Sequence, residues 1–584
     1  MRWPRGLRRP RLLGRLASLR RHDPAAVTAR TLRQWLLVAP VLGVGSGLLV
    51  TAIAAIVLDW LWPLVLRFDL AHPLAIVPVL TAGFLAAGLI MQYLTPDPDE
   101  HSTEEVIRAY HERQGRIEMR AFVPKLIAAI ATVGSGGSAA LEGPSVYGGG
   151  GLGSWLWSRF RFAGLGPRDR RILLISGAAA GMSAVFRAPL TGVVFALEMP
   201  YKDDIAREAL LPSLVASVAA YATMVAFLGS RPIFDFAATT GYTGRDLWWA
   251  ALLGLGCGLV VTAFSVAYRR FRGAVQRARA PHWLKMAAGG ALTGLCGLLF
   301  LACYPGSLIP IGPNYEAVTP VLRGAHAAGE MVTFGVLKLA ATLCSLGVGG
   351  VSAMFVPLFL AGGAFGGAFG AAVVHAPAPE LFAAVGMAAF LAAGYKTPLT
   401  AAVFVAEATG GHALIIPGLI GAALAYSVSG EWSVSGDQRL HEAVRVADLA
   451  HLTVAGAMRR HAAWIEAEAP LGALARLAAT RPEAAYAVCE RGRVVGVVSP
   501  SDLGRVPPAE WERRRVREVM ERDVACIGAD GDLQAALHAV LASRRRGPLF
   551  VTTENGSLEG VLTATDVLAA LEHAVPPETA AEPG

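Results

Sequence analysis

The spacing of apolar and polar positions divides the chain into a long apolar stretch and a more polar tail. Residues 34–68 are almost continuously apolar and end in Trp60, Trp62 and Phe68, an aromatic cluster suited to a membrane interface. A second apolar span covers 74–94. The polar run PDPDEHSTEEVIRAYHERQ follows, where Ser102 and Glu105 read as a capping box opening an amphipathic helix. Beyond Pro124 the apolar segments shorten and are broken by Gly and Pro, as at 172–184, 189–197 and 210–228. Such pieces do not span a bilayer comfortably alone and predict broken or re-entrant helices buried in protein. Longer spans recur near 248–268, 286–303 and 332–344. Gly43, Gly45 and Gly47 follow no strand, so they read as helix-packing positions and not as a dinucleotide loop.

The pattern repeats. FRAPLTGVVFALE, from Phe186 to Glu198, aligns without gaps to YKTPLTAAVFVAE, from Tyr395 to Glu407, with six of thirteen positions identical at an offset of 209. Upstream in each half lies a Gly/Ser loop and then a helix start with proline, at 134–144 and 347–357. Interrupted segments in matching positions of two halves point to a transport site between them. After about Gly436 charges return, and a second repeat appears. Val454–Met458 recurs as Val516–Met520, and GVVSPSD, ending at Asp502, recurs as GVLTATD, ending at Asp566. Each unit reads as strand, helix (471–480 and 533–544), two short strands and a helix starting near the Asp, a small α/β module in tandem.

Composition fits a polytopic membrane protein with some soluble mass. The 584 residues are 54% hydrophobic and 16% charged, where soluble chains carry about a quarter charged residues. The net charge of +8 owes much to the N-terminal stretch MRWPRGLRRPRLLGRLASLRRHD, whose eight arginines place that end in the cytoplasm. That topology explains the charge without a nucleic-acid partner. No cleavable signal stands out, and the six cysteines have no metal-site spacing and read as small buried residues.

The candidate chemistry centres on GSGGSAALEGPSVYGGGG, 134–151. Between Leu126 and Ser158, Glu142 is the only Asp, Glu, Lys or Arg. A lone carboxylate at a bilayer centre costs roughly 2.5 kcal/mol or more, which makes it a functional candidate by default. Glu142-Gly143-Pro144-Ser145 reads as a helix start whose free N–H groups and positive dipole end suit an anion. A carboxylate beside such a site can occupy it, or protonate and leave. That is a gate.

These residues resemble the CLC family of chloride channels and chloride/proton exchangers with a tandem CBS tail, over about Arg33 to Leu571. Glu142-Gly143-Pro144 is similar to the family's gating-glutamate motif, and Met354-Phe355-Val356-Pro357 to its GxFxP motif. The resemblance implies an all-α polytopic membrane domain of CLC type with an inverted internal repeat and broken helices, plus a small α/β tandem CBS module. It implies three regions: a basic cytoplasmic segment 1–33, a transport domain 34–436, and a cytoplasmic CBS tail 437–584 with repeats at about 454–506 and 516–574. It further implies a homodimer with one anion pathway per subunit in a lipid membrane, the bacterial inner membrane being the expected location, and chloride as the transported ion.

By the same resemblance, backbone groups of Gly143, Pro144, Met354, Phe355 and Val356 hold the anion, and Glu142 is the outer gate. The family's GSGIP serine falls at His101 or Ser102, and Ser435 is the nearest match to its inner-gate tyrosine. Leu141 replaces the basic residue before the gate, and Ala353 the first Gly of GxFxP. Many exchangers carry two consecutive acids where this chain has Glu198-Met199, so the proton route is assigned to Glu142 and Glu198 with Asp203 and Asp204. No required cofactor is expected. An adenine nucleotide (ATP, ADP or AMP) at the CBS pair is expected to use Ser499, Asp502, Thr563 and Asp566.

Proton-coupled exchange is the leading reading. A passive voltage- or pH-gated channel is the alternative, because Met199 cannot bind a proton, and a CBS-regulated cation transporter is the remote one. An enzyme is not expected: no HExxH motif for a metal site occurs, and Gly394-Tyr395-Lys396-Thr397 interrupts the Gly-Lys pair of a P-loop.

Overall fold

The computed structural model describes residues 24–159, 165–166, 168–229, 241–313, 315, 319–320, 327–376 and 378–441, and, in the tail, 453–460, 462–531, 533, 536, 539, 548–553, 555–563, 565–567 and 570. Most of the basic segment 1–33 and much of the helix expected at 533–544 lie outside these residues. The chain forms two compact units, Met1–Glu442 and Ala443–Gly584. The boundary lies beyond the expected 436 because 437–441 folds back onto the first unit. Gln438 Nε2 donates to the carbonyls of Met199, Tyr201 and Tyr395, and the N–H groups of Lys202 and Asp203 donate to the carbonyls of Arg439 and Leu440.

Among the described residues the elements of the first unit are helices. In order it runs α1 (Pro24–Ala54), a π-helical turn (Ala55–Leu61), α2 (Trp62–Ala71), α3 (Ile76–Leu94), α4 (Ser102–Glu112), α5 (Met119–Gly134), α6 (Glu142–Arg159), α7 (Asp169–Phe186) and α8 (Pro189–Glu198). Then follow α9 (Leu210–Leu228), α10 (Gly244–Arg277), α11 (His282–Cys303), α12 (Ala328–Leu346), α13 (Phe355–Phe369), α14 (Glu380–Tyr395), α15 (Pro398–Thr409) and α16 (Ile415–Val428). Among the described residues seven helical segments are long and apolar enough to cross a membrane. Arg207–Leu228 is one of them, which corrects the reading of 210–228 as too short. Trp60 is 80% exposed, as an interface residue is, but Trp62 is buried against Gly136 and Gly312 and belongs to the core.

Backbones meet closely where glycines leave room. A Cβ on Gly149 of α6 would lie 2.0 Å from the Gly177 carbonyl of α7, and one on Gly366 of α13 2.0 Å from the Phe382 carbonyl of α14. Small residues at such seams let dispersion and weak polar contacts act between helices where lipid offers no hydrophobic drive. Gly43 and Gly47 of α1 meet α9 in the same way, at the carbonyls of Ala216 and Ala220.

The internal repeat is visible in the chain path. α7–Arg187–α8 matches α14–Lys396–α15: Arg187 and Lys396 both take left-handed backbone, and Pro189 and Pro398 open the next helix. The segments leading into α6 and α13 run antiparallel, bridged at Ala140 and Ala353. Two helix N-termini from the two halves are thereby brought together.

The tail unit has two matching three-stranded sheets. β1 (Trp464–Glu466) pairs parallel with β2 (Tyr486–Glu490), which pairs antiparallel with β3 (Arg493–Val498). β4 (Cys526–Gly528), β5 (Leu549–Thr552) and β6 (Leu558–Leu562) repeat that order and those directions. The helix α17 (Leu471–Thr480) crosses from β1 to β2, as a parallel pair requires.

Candidate anion site and gate

Ala140 N–H donates to the Ala353 carbonyl at 3.4 Å, and Ser352 Oγ donates to the Ala140 carbonyl. The two segments are so close that a Cβ on Gly143 would sit 2.7 Å from Ala353 N, so this position accepts only glycine. Gly143 is therefore packed against 352–353, at the start of α6.

Glu142 is 1% exposed. Its Oε1 accepts the Phe355 N–H at 2.7 Å, across from α6 to the first turn of α13. Its Oε2 is buried and makes no hydrogen bond among the described residues. The neighbouring Met354 N–H donates to Tyr395 Oη at 3.0 Å. The two amides predicted to hold an anion thus face a carboxylate oxygen and a phenol oxygen. A helix N-terminus that binds one anionic oxygen suits another anion in its place. On the other side Leu141 N–H donates to Tyr315 Oη at 3.3 Å. The rings of Phe186, Phe195 and Phe404 pack on Phe355 at 5.5, 5.5 and 4.9 Å, which shields the site from water.

Beside these groups lies a cavity of about 20 Å³, room for about one water-sized occupant, with His101, Ser102, Ser352, Met354, Tyr395 and Ser435 in its wall. His101 Nε2 and Ser435 Oγ are buried and make no hydrogen bond among the described residues, while His101 Nδ1 faces Ser102 Oγ at 3.3 Å. Buried polar atoms without partners are rare and call for a ligand or water. Both sequence candidates, His101/Ser102 and Ser435, are brought to this cavity with Met354.

The capping box expected of Ser102 and Glu105 is not formed. His101 is the N-cap, Ser102 takes a φ of 60°, and Glu105 turns inward to accept from Lys125 Nζ at 2.7 Å. A buried acid finds a stronger partner in a cation than in a backbone N–H.

The proposed proton residues are not gathered into a chain. Glu198 Oε1 accepts from Leu399 N–H at 3.1 Å, and Oε2 accepts from Thr400 N–H at 2.8 Å and Oγ1 at 2.6 Å. Glu198 therefore caps α15. Its repeat mate Glu407 caps α8 in return, accepting from Leu190 N–H at 3.0 Å and from Thr191 N–H and Oγ1 at 2.7 Å each. Met199 is fully buried, Asp203 is exposed and accepts from Tyr426 Oη, and Asp204 accepts the Ile205 N–H. In the tail, Ser499 N–H and Oγ both donate to Asp502, and Thr563 N–H and Oγ1 both donate to Asp566, which also meets Arg459. The four residues expected to hold a nucleotide thus close two internal capping boxes.

Sequence reasoning missed Tyr395 and Tyr315. Tyr395 opens the repeated thirteen-residue stretch opposite Phe186, and the hydroxyl that Phe186 lacks was the available signal. Among the described residues no group of three His, Cys, Asp or Glu could hold a metal ion.

Comparison with known proteins identifies the family and the fold. Residues 83–430 match the voltage gated chloride channel family, and residues 516–573 match the CBS domain. The H(+)/Cl(-) exchange transporter ClcA of Salmonella arizonae is 30% identical over 436 residues, 71% of this chain and 87% of that protein. ClcA of Yersinia pestis bv. Antiqua (strain Angola) is 29% identical over 403 residues, 66% of this chain and 82% of that protein. Among solved structures, a CLC-type fluoride/proton antiporter superposes with a TM-score of 0.61 at 22% identity, covering 70% of this chain and 98% of that one. A slow cyanobacterial Cl-/H+ antiporter gives 0.60 at 21% identity, covering 68% and 94%. A eukaryotic CLC transporter gives 0.57 at 19% identity, covering 92% and 98%. The chain belongs to the voltage gated chloride channel (CLC) family.

Proposed function

We propose that this protein exchanges chloride for protons across a membrane, with Glu142 as the gate that chloride and protons contend for. The observation that carries the reading is the seat of the Glu142 carboxylate on the Phe355 N–H, at a helix N-terminus suited to an anion. A protonated carboxyl is a weaker acceptor and leaves; the anion then takes the amide. Met354 N–H, Tyr395 Oη, His101 and Ser435 complete the path on the cavity side. The proposed assembly is a homodimer in the bacterial inner membrane, one pathway per subunit, with the N-terminus and CBS tail cytoplasmic.

A passive channel is the second reading, favoured by the bonds that fully occupy Glu198 and by the apolar Met199 beside it. Purified protein in liposomes separates the two. Under an imposed chloride gradient, exchange drives protons uphill; a channel passes chloride and leaves protons where they are. Replacing chloride with fluoride or nitrate in the same assay tests the substrate. Regulation by an adenine nucleotide at the CBS pair is a separate proposal, in competition with the two internal boxes, and titrating ATP, ADP and AMP into the full-length protein tests it.

A further inference from the structure

A second cavity, of about 400 Å³, adjoins the small one beside Met354, and Glu104, Tyr268, Arg272 and Val434 line both. The larger cavity is a mouth: Asp99, Gln276 and Gly436 on its wall are exposed. Those four shared residues therefore stand where the open mouth meets the small cavity. The two charged ones form an ion pair. Arg272 Nη2, from α10, lies 3.1 Å from Glu104 Oε2, in the first turn of α4.

Arg272 is held at three points among the described residues. Nη1 donates to Tyr268 Oη, one turn earlier on α10, at 3.1 Å, and Nη2 donates to the Asp99 carbonyl at 3.1 Å. These two neutral acceptors keep the guanidinium in place whether or not Glu104 is on it. The carboxylate is the contact that another anion can replace, because a guanidinium keeps its charge and offers its N–H donors to any anion.

The pair is also within reach of water. Its side chains are 17% and 25% exposed, whereas those of the Lys125–Glu105 pair, on the same α4, are 4% and 1% exposed. Opening a fully buried pair strands two charges, but a pair that water reaches can open and close. Arg108 in the same mouth is a poorer receiver, since Asp437 and Glu100 hold it at 3.1 and 3.4 Å.

Resting on the reading of this protein as an anion transporter, we propose that the Arg272–Glu104 pair is the door between mouth and cavity, with Arg272 the residue that receives the anion. An anion in the mouth replaces the Glu104 carboxylate on Arg272, passes the guanidinium and enters the cavity beside Met354. Glu104 then returns to Arg272 and closes the way behind it. Arg272 draws the anion in and Glu104 holds it out. The two residues act in opposite directions on one step.

That opposition is the test. Initial chloride flux in liposomes is recorded against chloride concentration for the full-length parent, Arg272→Gln, Arg272→Lys and Glu104→Gln. Arg272→Gln is expected to raise the half-saturating chloride concentration about tenfold, because Glu104 then faces the path unpaired. Glu104→Gln is expected to lower it about threefold, because the guanidinium has no carboxylate to give up. Arg272→Lys falls between the parent and Arg272→Gln, keeping the charge but losing the planar fork. A pair that merely braces α4 against α10 would move both variants in the same direction, with a loss of folded protein, and that result overturns the inference. Should Arg272→Gln fail to fold, Glu104→Gln decides alone: a half-saturating concentration that is unchanged or raised overturns it as well. A parent that passes chloride with values indifferent to both substitutions sinks the door alone; one that passes no chloride sinks the anion reading with it.

Discussion

Glu142 and Glu198 are both buried glutamates seated on the first turn of a helix from the opposite half of the chain, yet their bonding differs. Glu198 has both oxygens occupied by two amides and a hydroxyl, and Glu407 repeats that arrangement across the pseudo-symmetry. Glu142 has one oxygen bonded and one without a partner. Breaking a saturated carboxylate costs every bond at once, so Glu198 and Glu407 are clasps between the halves. A carboxylate with one oxygen unbonded is more readily displaced from its helix end by another anion. The same residue type at the same kind of helix end is saturated in one place and half-bonded in the other, and it is the half-bonded one that we propose as the gate.

The largest effect that probes this contrast is at the backbone. Gly143→Ala places a Cβ 2.7 Å from Ala353 N, with backbone on both sides and no room to yield. It is expected to abolish transport in liposomes and to lower folded yield sharply; near-normal flux contradicts the close approach of the two helix starts. Next come the clasps. Glu198→Gln and Glu407→Gln should each cost roughly 1.5–3 kcal/mol, the worth of hydrogen bonds to a charged group, read as a fall in thermal stability. If exchange is confirmed, neither changes the ratio of protons to chloride. A clasp variant that keeps its stability but loses proton coupling would make Glu198 a proton carrier after all.

Smaller is the effect of Tyr395→Phe, which leaves Met354 N–H without its acceptor. The cost is about 1–3 kcal/mol in chloride-free buffer, and added chloride should recover part of it by taking the amide. Equal destabilisation with and without chloride removes Tyr395 from the anion path. The smallest effect is expected at Asp203→Asn, where an exposed carboxylate accepts from Tyr426 Oη, and at Asp204→Asn, whose carboxylate accepts the Ile205 N–H. Flux and coupling should match the parent in the same liposome assay.

Much of this was legible in the chain. A lone acid in a long uncharged stretch, a proline after it and a matching FVP in the second half pointed to both helix ends that meet. The thirteen-residue repeat contained Glu198 and Glu407, but not the fact that each reaches the other's helix, because a reciprocal cap depends on how the halves pack. Ser102 and Glu105 have the spacing of a capping box, and tertiary structure overrode it by offering Lys125. Tyr315 could not be placed beside Leu141 because it comes from a segment far along the chain, with no local pattern to mark it. The candidate nucleotide residues illustrate the converse: Ser499 with Asp502 and Thr563 with Asp566 were read for a ligand and are bonded to each other.

The most direct test of the account compares the parent protein with Glu142→Gln in liposomes under a chloride gradient, recording chloride and protons together. The account predicts uphill proton movement in the parent and chloride flux without proton movement in the variant, since a side-chain amide has no charge to seat and no proton to exchange. A variant that still drives protons uphill would contradict it, and Glu142 would not be the gate.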